Sequence, residues 1–564
     1  MDGPRMLFQN HHSWSKNSAQ TSNWLMAETL QRPQRPFKPW MYGMSQARLK
    51  ENRECNGERW VCFDDRESTT ADKHSLCMNT QLSNPVEDFL EEILQKGAKF
   101  PNSEEDRLIR NNIEAMMEGL CNSLDQSFKM FRDCRLLKTG STYEMLKIGM
   151  PDEFDFMIEL PALGKNETFE FYQHNISTQA QLIYFDIKDR SFFQDIISKA
   201  MESNDDEYDD ECSDGDFLTN VLNILEQVIR EHFKMALLEC WSLVVDPKLS
   251  IRRNLPQVAI TPVFKWEGKE YKHLYVSVDL TFAIPIKKRP IWNHNRSNHL
   301  ALGSNKKFIL KDSSEVLHTL LRDGESCRIS YSLHEQQIMS EFPLDTGQNQ
   351  CLRLLKYFRN VICEQKFDPI SLEMKSCIST YLLKTVMYYQ FARHKDDPSK
   401  WQREQLFDRL LEALEDLLVC IKKSRLFSYF IPHYNLLKNL KFTDTQIQNV
   451  VYDVEEMLNV LKKLQTRAMN MEEFQELVAQ KQKAVDALTY QGHRDHVIDL
   501  LYIYAYNDYQ ANNLEVIKQY AERYLKGIEI QGMGKDIVFL ENGEQVNVDK
   551  ELEQKYGEEI SYFH

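Results

Sequence analysis

The sequence predicts an α/β fold of the α+β kind, in which a mixed sheet is joined to a helical lobe. Three observations predict it. Residues 153–160 (EFDFMIEL) and 274–284 (LYVSVDLTFAI) place apolar residues at alternate positions, the pattern of half-buried strands. Ile109, Ile113, Met116, Met117 and Leu120 recur at helical spacing within residues 103–133. From about residue 312 the chain reads as largely helical. With 564 residues, at roughly 150 per domain, the chain holds three or four units.

The elements follow in order. Residues 1–85 are polar and carry Pro4, Pro33, Pro36, Pro39 and Pro85, so they are expected to be mostly disordered. Trp14, Trp24, Trp40 and Trp60 are unusual for a linker and allow a short docking motif there. Cys55, Cys62, His74 and Cys77 offer zinc ligands at irregular spacing. A nucleotide-processing core is assigned to 86–311, a helical lobe to 312–440 and a helical extension of unknown role to 441–564. Ser103 is placed to cap the long helix, with Glu104, Glu105 and Asp106 in its first turn. Residues 202–216 (ESNDDEYDDECSDGD) read as a solvated acidic loop, because their spacing does not follow a twelve-residue calcium loop. Asp397-Pro398 marks a helix start, followed by a stripe of Leu406, Leu410, Leu411, Leu414, Leu417 and Leu418. The segment IVFLENGEQVNV is expected to be a hairpin turning at Asn542-Gly543.

Bulk properties exclude some classes. The net charge of −16 argues against a protein that coats nucleic acid broadly, though not against a local basic groove. No apolar run approaches the roughly 18 residues of a membrane span. The start, MDGPRMLFQNHHSWSK, lacks a signal-peptide core. The 12 cysteines are scattered and read as reduced thiols, so a cytoplasmic location is expected.

The chemistry is carried by acids on the two strands. Glu153 and Asp155 share the face opposite Phe154, Phe156, Ile158 and Leu160. Asp279, flanked by Ser277 and Thr281, lies opposite the apolar face of the second strand. Pairing the strands would gather three carboxylates, which repel one another unless cations neutralise them. Hard oxygen ligands without Cys or His suit Mg²⁺ or Mn²⁺. Upstream, Thr139-Gly140-Ser141 offers a close backbone approach and a hydroxyl for phosphate. A Gly-Ser turn, an acidic pair on a strand and a third acid on a later strand are together the signature of a polymerase-β-like nucleotidyltransferase.

The run TGSTYEMLKIGMPDEFDFMIEL (139–160) resembles the cGAS-like receptors (cyclic GMP-AMP synthase-like nucleotidyltransferases) of the Mab family. VSVDLTFAI (276–284), CRISYSLHEQQIM (327–339), CLRLLKYF (351–358), CISTYLLKTVMYY (377–389) and LFSYFIPHYNLL (426–437) agree in order, so the resemblance spans about 88–440. It implies a cleft between sheet and helical lobe. It implies catalysis and the binding of two Mg²⁺ or Mn²⁺ ions by Glu153, Asp155 and Asp279, and triphosphate binding by Gly140 and Ser141 beside Thr139. Arg328, Ser330, Ser332 and Glu335 would meet the acceptor nucleotide and Lys356 the donor phosphates. Ser379 and Thr380 would lie near the donor, Tyr381 would stack on its base, and Asn435 would lie near the bases. The implied substrates are two nucleoside triphosphates, ATP and/or GTP, joined into a cyclic dinucleotide that a STING-type receptor reads. A non-catalytic Mab-family scaffold and an oligoadenylate or RNA-tailing enzyme are the alternatives.

Departures from that family bear on regulation. Residues 340–350 (SEFPLDTGQNQ) and the single Cys351 stand where the vertebrate enzyme carries one His and three Cys, so no structural zinc is expected at that thumb position. The 103–133 helix mixes Arg107, Arg110, Lys129 and Arg132 with seven acids and is not a strongly basic spine. Two basic clusters, Lys248, Arg252 and Arg253, and Lys287, Lys288 and Arg289, are candidate activator contacts. Double-stranded RNA is the favoured activator by analogy with relatives lacking the insertion, with an activator-induced dimer as the accompanying expectation.

Overall fold

The structure, a computed structural model, describes residues 85–165, 168–172, 182–201, 213–236, 241–244, 259–286, 317–321, 326–368, 373–431, 434–439, 444–506, 512–532, 538–548 and 550–551. The N-terminal tryptophans, the Cys55, Cys62, His74 and Cys77 set, acidic residues 202–212 and both basic clusters lie outside them. The remainder of the acidic run opens a helix at Asp214.

Helix α1 (Pro85–Gln95) precedes α2 (Glu104–Ser127). Ser103 caps α2 as expected, in a capping box in which Asp106 answers the Ser103 backbone N–H at 2.7 Å. The helix stops short of residue 133, because Phe128 is extended and Lys129–Phe131 form a 3₁₀ turn. Next come β1 (Arg135–Thr139), the one-turn helix α3 (Gly140–Tyr143) and β2 (Glu153–Glu159). Strands β3 (Phe169–Tyr172) and β4 (Leu182–Ile187) lead to α4 (Asp214–Ala236). Then follow β5 (Trp241–Val244), β6 (Ala259–Ile260), β7 (Val263–Trp266) and β8 (Leu274–Ile286).

The sheet extends further along the chain than the sequence suggests. Residues read as the start of the helical lobe form β9 (Leu317–Leu320) and β10 (Ser326–Ser330). These strands are short, and an alternating run of four or five residues is too brief to outvote helical neighbours. The main path is β1–β2–β8–β9–β10–β4–β3. Only β2 and β8 among these neighbours run parallel.

Alternation sets which face each side chain takes. Phe154, Phe156, Ile158 and Leu160 are buried, as are Leu274, Val276, Val278, Leu280, Phe282 and Ile284. Both sets pack with Ile109, Ile113, Met117 and Leu120 of α2 and with α4 in one core. Tyr275, Ser277, Asp279 and Thr281 occupy the other, half-buried face.

The helical lobe begins with α5 (Ser332–Ser340) and α6 (Gly347–Ile362). A small hairpin, β11 (Gln365–Asp368) and β12 (Glu373–Ser376), precedes α7 (Thr380–Arg393) and α8 (Leu406–Lys422). Asp397-Pro398 starts only a 3₁₀ turn, Pro398–Trp401, and the α-helix starts later at Leu406. Asp397 spends its carboxylate on the Ser399 amide, which closes that turn locally. Leu406, Leu410, Leu414 and Leu417 are buried, with Leu411 and Leu418 packed at the margin. Helix α9 (Asp444–Gln465) completes this core.

The C-terminal part holds α10 (Met471–Tyr506), α11 (Asn512–Tyr524) and three strands, β13 (Ile528–Gln531), β14 (Val538–Glu541) and β15 (Glu544–Val546). The last two form the expected hairpin, with positive φ at Asn542 (51°) and Gly543 (85°). Among the described residues, no helix is long and apolar enough to cross a membrane.

Candidate active site

Parallel pairing of β2 with β8 places Asp155 directly beside Asp279, and Glu153 beside Ser277. Carboxylate oxygens of Glu153, Asp155 and Asp279 lie within 4.8 Å of one another. Burial is the main cause that raises Asp155 to about 7, and Glu153, Asp279 and Glu144 push it in the same direction against Lys147. Such a cluster of oxygen donors fits a hard divalent cation, which would relieve that repulsion. Thr261 Oγ1 donates to Asp279 Oδ1 at 2.5 Å and fixes one ligand.

The Gly-Ser turn abuts the acids. Gly140 has φ +77°, and a Cβ there would come within 1.9 Å of Asp155 Oδ2. Glycine is thus required twice over, by the backbone conformation and by the carboxylate. The Ser141 carbonyl accepts from the amides of Leu146 (2.7 Å) and Lys147 (2.9 Å), which closes the loop between turn and strand. The Lys147 amine reaches Asp152 at 2.7 Å and Glu153 at 3.1 Å. Burial pulls this amine down, but the two acids outweigh burial and hold it above its usual value.

A cleft of about 280 Å³ opens beside the acids, lined by Thr139, Asp155, Asp279, Arg328, Ser330, Ser332, Glu335 and Tyr381 among others. These sequence-selected residues come from the sheet, from α5 and from α7, and the fold brings them together. Lys356, Ser379, Thr380 and Asn435 lie outside that lining. Lys356 donates from Nζ to the Leu146 carbonyl at 2.7 Å. Its burial, with Lys147 and Lys384 nearby, pulls it down to about 8. Ser379 caps α7 by accepting from the Leu382 amide, with Thr380 as the first helical residue. Asn435 accepts from the amides of Leu426 and Leu437 and donates to the Ser424 carbonyl, so its side chain shapes the 424–437 loop.

Sequence reasoning missed Glu144, Lys147, Thr261 and Lys384. Lys384 donates to Glu335 and reaches Glu144 at 2.9 Å. Its position three residues after Tyr381, on the same helical face, was the one available signal. Lys147 and Thr261 carried none, because each reaches its acid through loop geometry.

Comparison with known proteins adds a second line. Residues 142–341 match the model of the Mab-21 protein nucleotidyltransferase domain, and 347–456 match that of the Mab-21 protein HhH/H2TH-like domain. Together these models match more than half of the chain. The chain belongs to the Mab-21 family. The first match ends between α5 and α6, so β9 and β10 fall with the nucleotidyltransferase domain. Mouse cyclic GMP-AMP synthase is 23% identical over 354 residues, which cover 57% of this chain and 60% of that protein. The pig protein of the same name is 25% identical over 343 residues, covering 57% and 61%. Protein male abnormal 21 of Caenorhabditis elegans is 27% identical over 96 residues, covering 17% of this chain and 24% of its own. The chain thus spans about three fifths of the length of the two synthases. The Mab-21 models stop at 456, so the C-terminal part from α10 onward lies beyond them.

Proposed function

We propose that this Mab-21 nucleotidyltransferase joins two nucleoside triphosphates, ATP and/or GTP, into a cyclic dinucleotide and releases pyrophosphate. The observation that carries the reading is the register of β2 on β8, which gathers Glu153, Asp155 and Asp279 at the mouth of a cleft holding Arg328 and Tyr381. Those acids would hold two Mg²⁺ or Mn²⁺ ions. When bound, the ions would lower the pKa of the attacking ribose hydroxyl and neutralise charge on the α-phosphate. The hydroxyl oxygen would bond to the α-phosphorus of the second nucleotide as the bond to pyrophosphate breaks. A second such transfer would close the ring.

The chain's own groups would do the positioning. Gly140 and Ser141 would cradle the triphosphate beside Thr139, with Ser379 and Thr380 near the donor. Arg328, Ser330, Ser332 and Glu335 would orient the acceptor, and Tyr381 would supply a stacking face. Lys356 would have to leave the Leu146 carbonyl to meet a phosphate, and Asn435 would act by holding its loop.

The proposed setting is that of a ligand-activated innate immune sensor in the cytoplasm, whose product is read by a STING-type receptor. Double-stranded RNA is the proposed activator, through Lys248, Arg252, Arg253, Lys287, Lys288 and Arg289, with dimerisation on activation. No structural zinc is proposed at the thumb position. The test is to incubate the full chain with labelled NTPs, Mn²⁺ or Mg²⁺ and a panel of nucleic acids. A cyclic dinucleotide is expected from the wild type and none from Glu153→Ala/Asp155→Ala. Absence of product from the wild type under every condition would favour the scaffold reading, and linear oligomers would favour the tailing enzyme.

A further inference from the structure

The cleft has a buried charge device beneath its acceptor side. Lys384 sits on α7, one turn past Tyr381, and does not line the cleft. Its amine donates to the Glu335 carboxylate and lies 2.9 Å from Glu144 Oε2 and 3.0 Å from Glu144 Oε1. Glu335 belongs to α5 and lines the cleft. Glu144 is the C-cap of α3, the helix that opens with Gly140 and Ser141. One amine therefore joins three elements: the Gly-Ser turn, the acceptor wall and the helix that carries Tyr381.

Glu144 and Glu335 are both buried, at 3% and 8% exposure. A buried carboxylate without a cation either takes up a proton or turns toward water. The Lys384 amine spans the turn and the acceptor wall, so their spacing is tied through this junction. We propose that Lys384 is a positioning residue: it aims Glu335 at the cleft and fixes that wall against the Gly140–Ser141 turn. The proposal rests on the nucleotidyltransferase reading above.

The test uses the full chain with Mn²⁺ and compares Lys384→Met, Lys384→Arg and Glu144→Gln with the wild type. Turnover of NTPs is measured beside the affinity for a non-reactive probe, adenosine 5′-(α,β-methylene)triphosphate. Misplacing a reacting group by about an ångström costs on the order of 100-fold in rate. Lys384→Met is therefore expected to lower kcat by roughly 10- to 100-fold while probe affinity stays near that of the wild type. Lys384→Arg should recover most of the loss, because the charge returns. Glu144→Gln frees the turn while leaving the amine on Glu335, and should lower kcat less than Lys384→Met. It also serves if Lys384→Met does not fold. Unchanged kcat in Lys384→Met, or in Glu144→Gln should the first variant not fold, would overturn the proposal. So would a loss of probe affinity in step with kcat, since that marks a direct ligand. A wild type that neither binds the probe nor turns over NTPs would instead defeat the underlying reading, and the proposal with it.

Discussion

Asp155 is the residue on which the candidate site turns. Its carboxyl is raised to about 7, so between the ordinary aspartate range and pH 7 the folded chain holds a proton that the unfolded chain has lost. The contribution of this group to stability therefore falls as pH rises through that window. A bound divalent cation should replace the proton. We expect Mn²⁺ to raise the melting temperature more at pH 8 than at pH 6, and Asp155→Asn to flatten that difference while raising the metal-free melting temperature. An equal shift at both pH values in the wild type would show that the Asp155 carboxyl is not raised. Gly140 makes the complementary case. Gly140→Ala would push a methyl group into Asp155 and strain a left-handed backbone, so turnover should be lost and stability should fall by about 1 kcal/mol or more. Wild-type turnover in Gly140→Ala would mean that the turn and the acid move apart in solution.

At the scale of elements, the N-terminus of α2 is fixed by a capping box, and Glu105 ties it to the β7–β8 hairpin through Trp266 Nε1 at 2.8 Å and the Glu270 amide at 2.8 Å. Ser103→Ala should cost about 1 kcal/mol in chemical unfolding and leave turnover per folded molecule unchanged. A loss of turnover would mean that α2 transmits more to the site than core packing. The same scale explains what the sequence made legible. Long periodic elements such as α2, β2 and β8 were readable because burial enforces their pattern over seven or more residues. The acids were readable because they place charge on the second face of strands whose first face is apolar. The strands β9 and β10 were not, since their length gives periodicity too few positions. Lys147 and Thr261 were not, since a sequence carries no signal for a side chain that meets its partner through a loop. Ser379 and Asn435 carry a local task that residue type alone does not reveal: one caps α7 and the other pins its loop.

At the scale of the whole molecule, the C-terminal part touches both walls of the fold. Gly492 of α10 lies flat on Phe367 of β11, where a Cβ would stand 2.2 Å from the ring, and Phe367 packs edge-on to His493 at 5.0 Å. Lys481 adds bonds to the Ile362 carbonyl and, at 2.9 Å, to Glu456. On the other side, Arg523 of α11 lies over Tyr275 of β8 at 4.5 Å. Tyr275 is on the same strand face as Asp279, and its cross-strand partner Lys265 pairs with Glu267 at 3.0 Å. The attachment is thus close packing with two polar ties on the lobe, and a cation–π contact on the sheet. A half-buried cation–π contact is worth roughly 1 kcal/mol, so Arg523→Ala should leave the fold and the β11 contact intact. Amide exchange at residues 274–279 should quicken in that variant, because the strand loses its outer cover. Gly492→Ala should do the reverse, leaving β8 protected while α10 becomes the first site cut in limited proteolysis. If Arg523→Ala leaves exchange in β8 unchanged, the C-terminal part is fastened to the helical lobe alone and exerts no hold on the strand that carries Asp279.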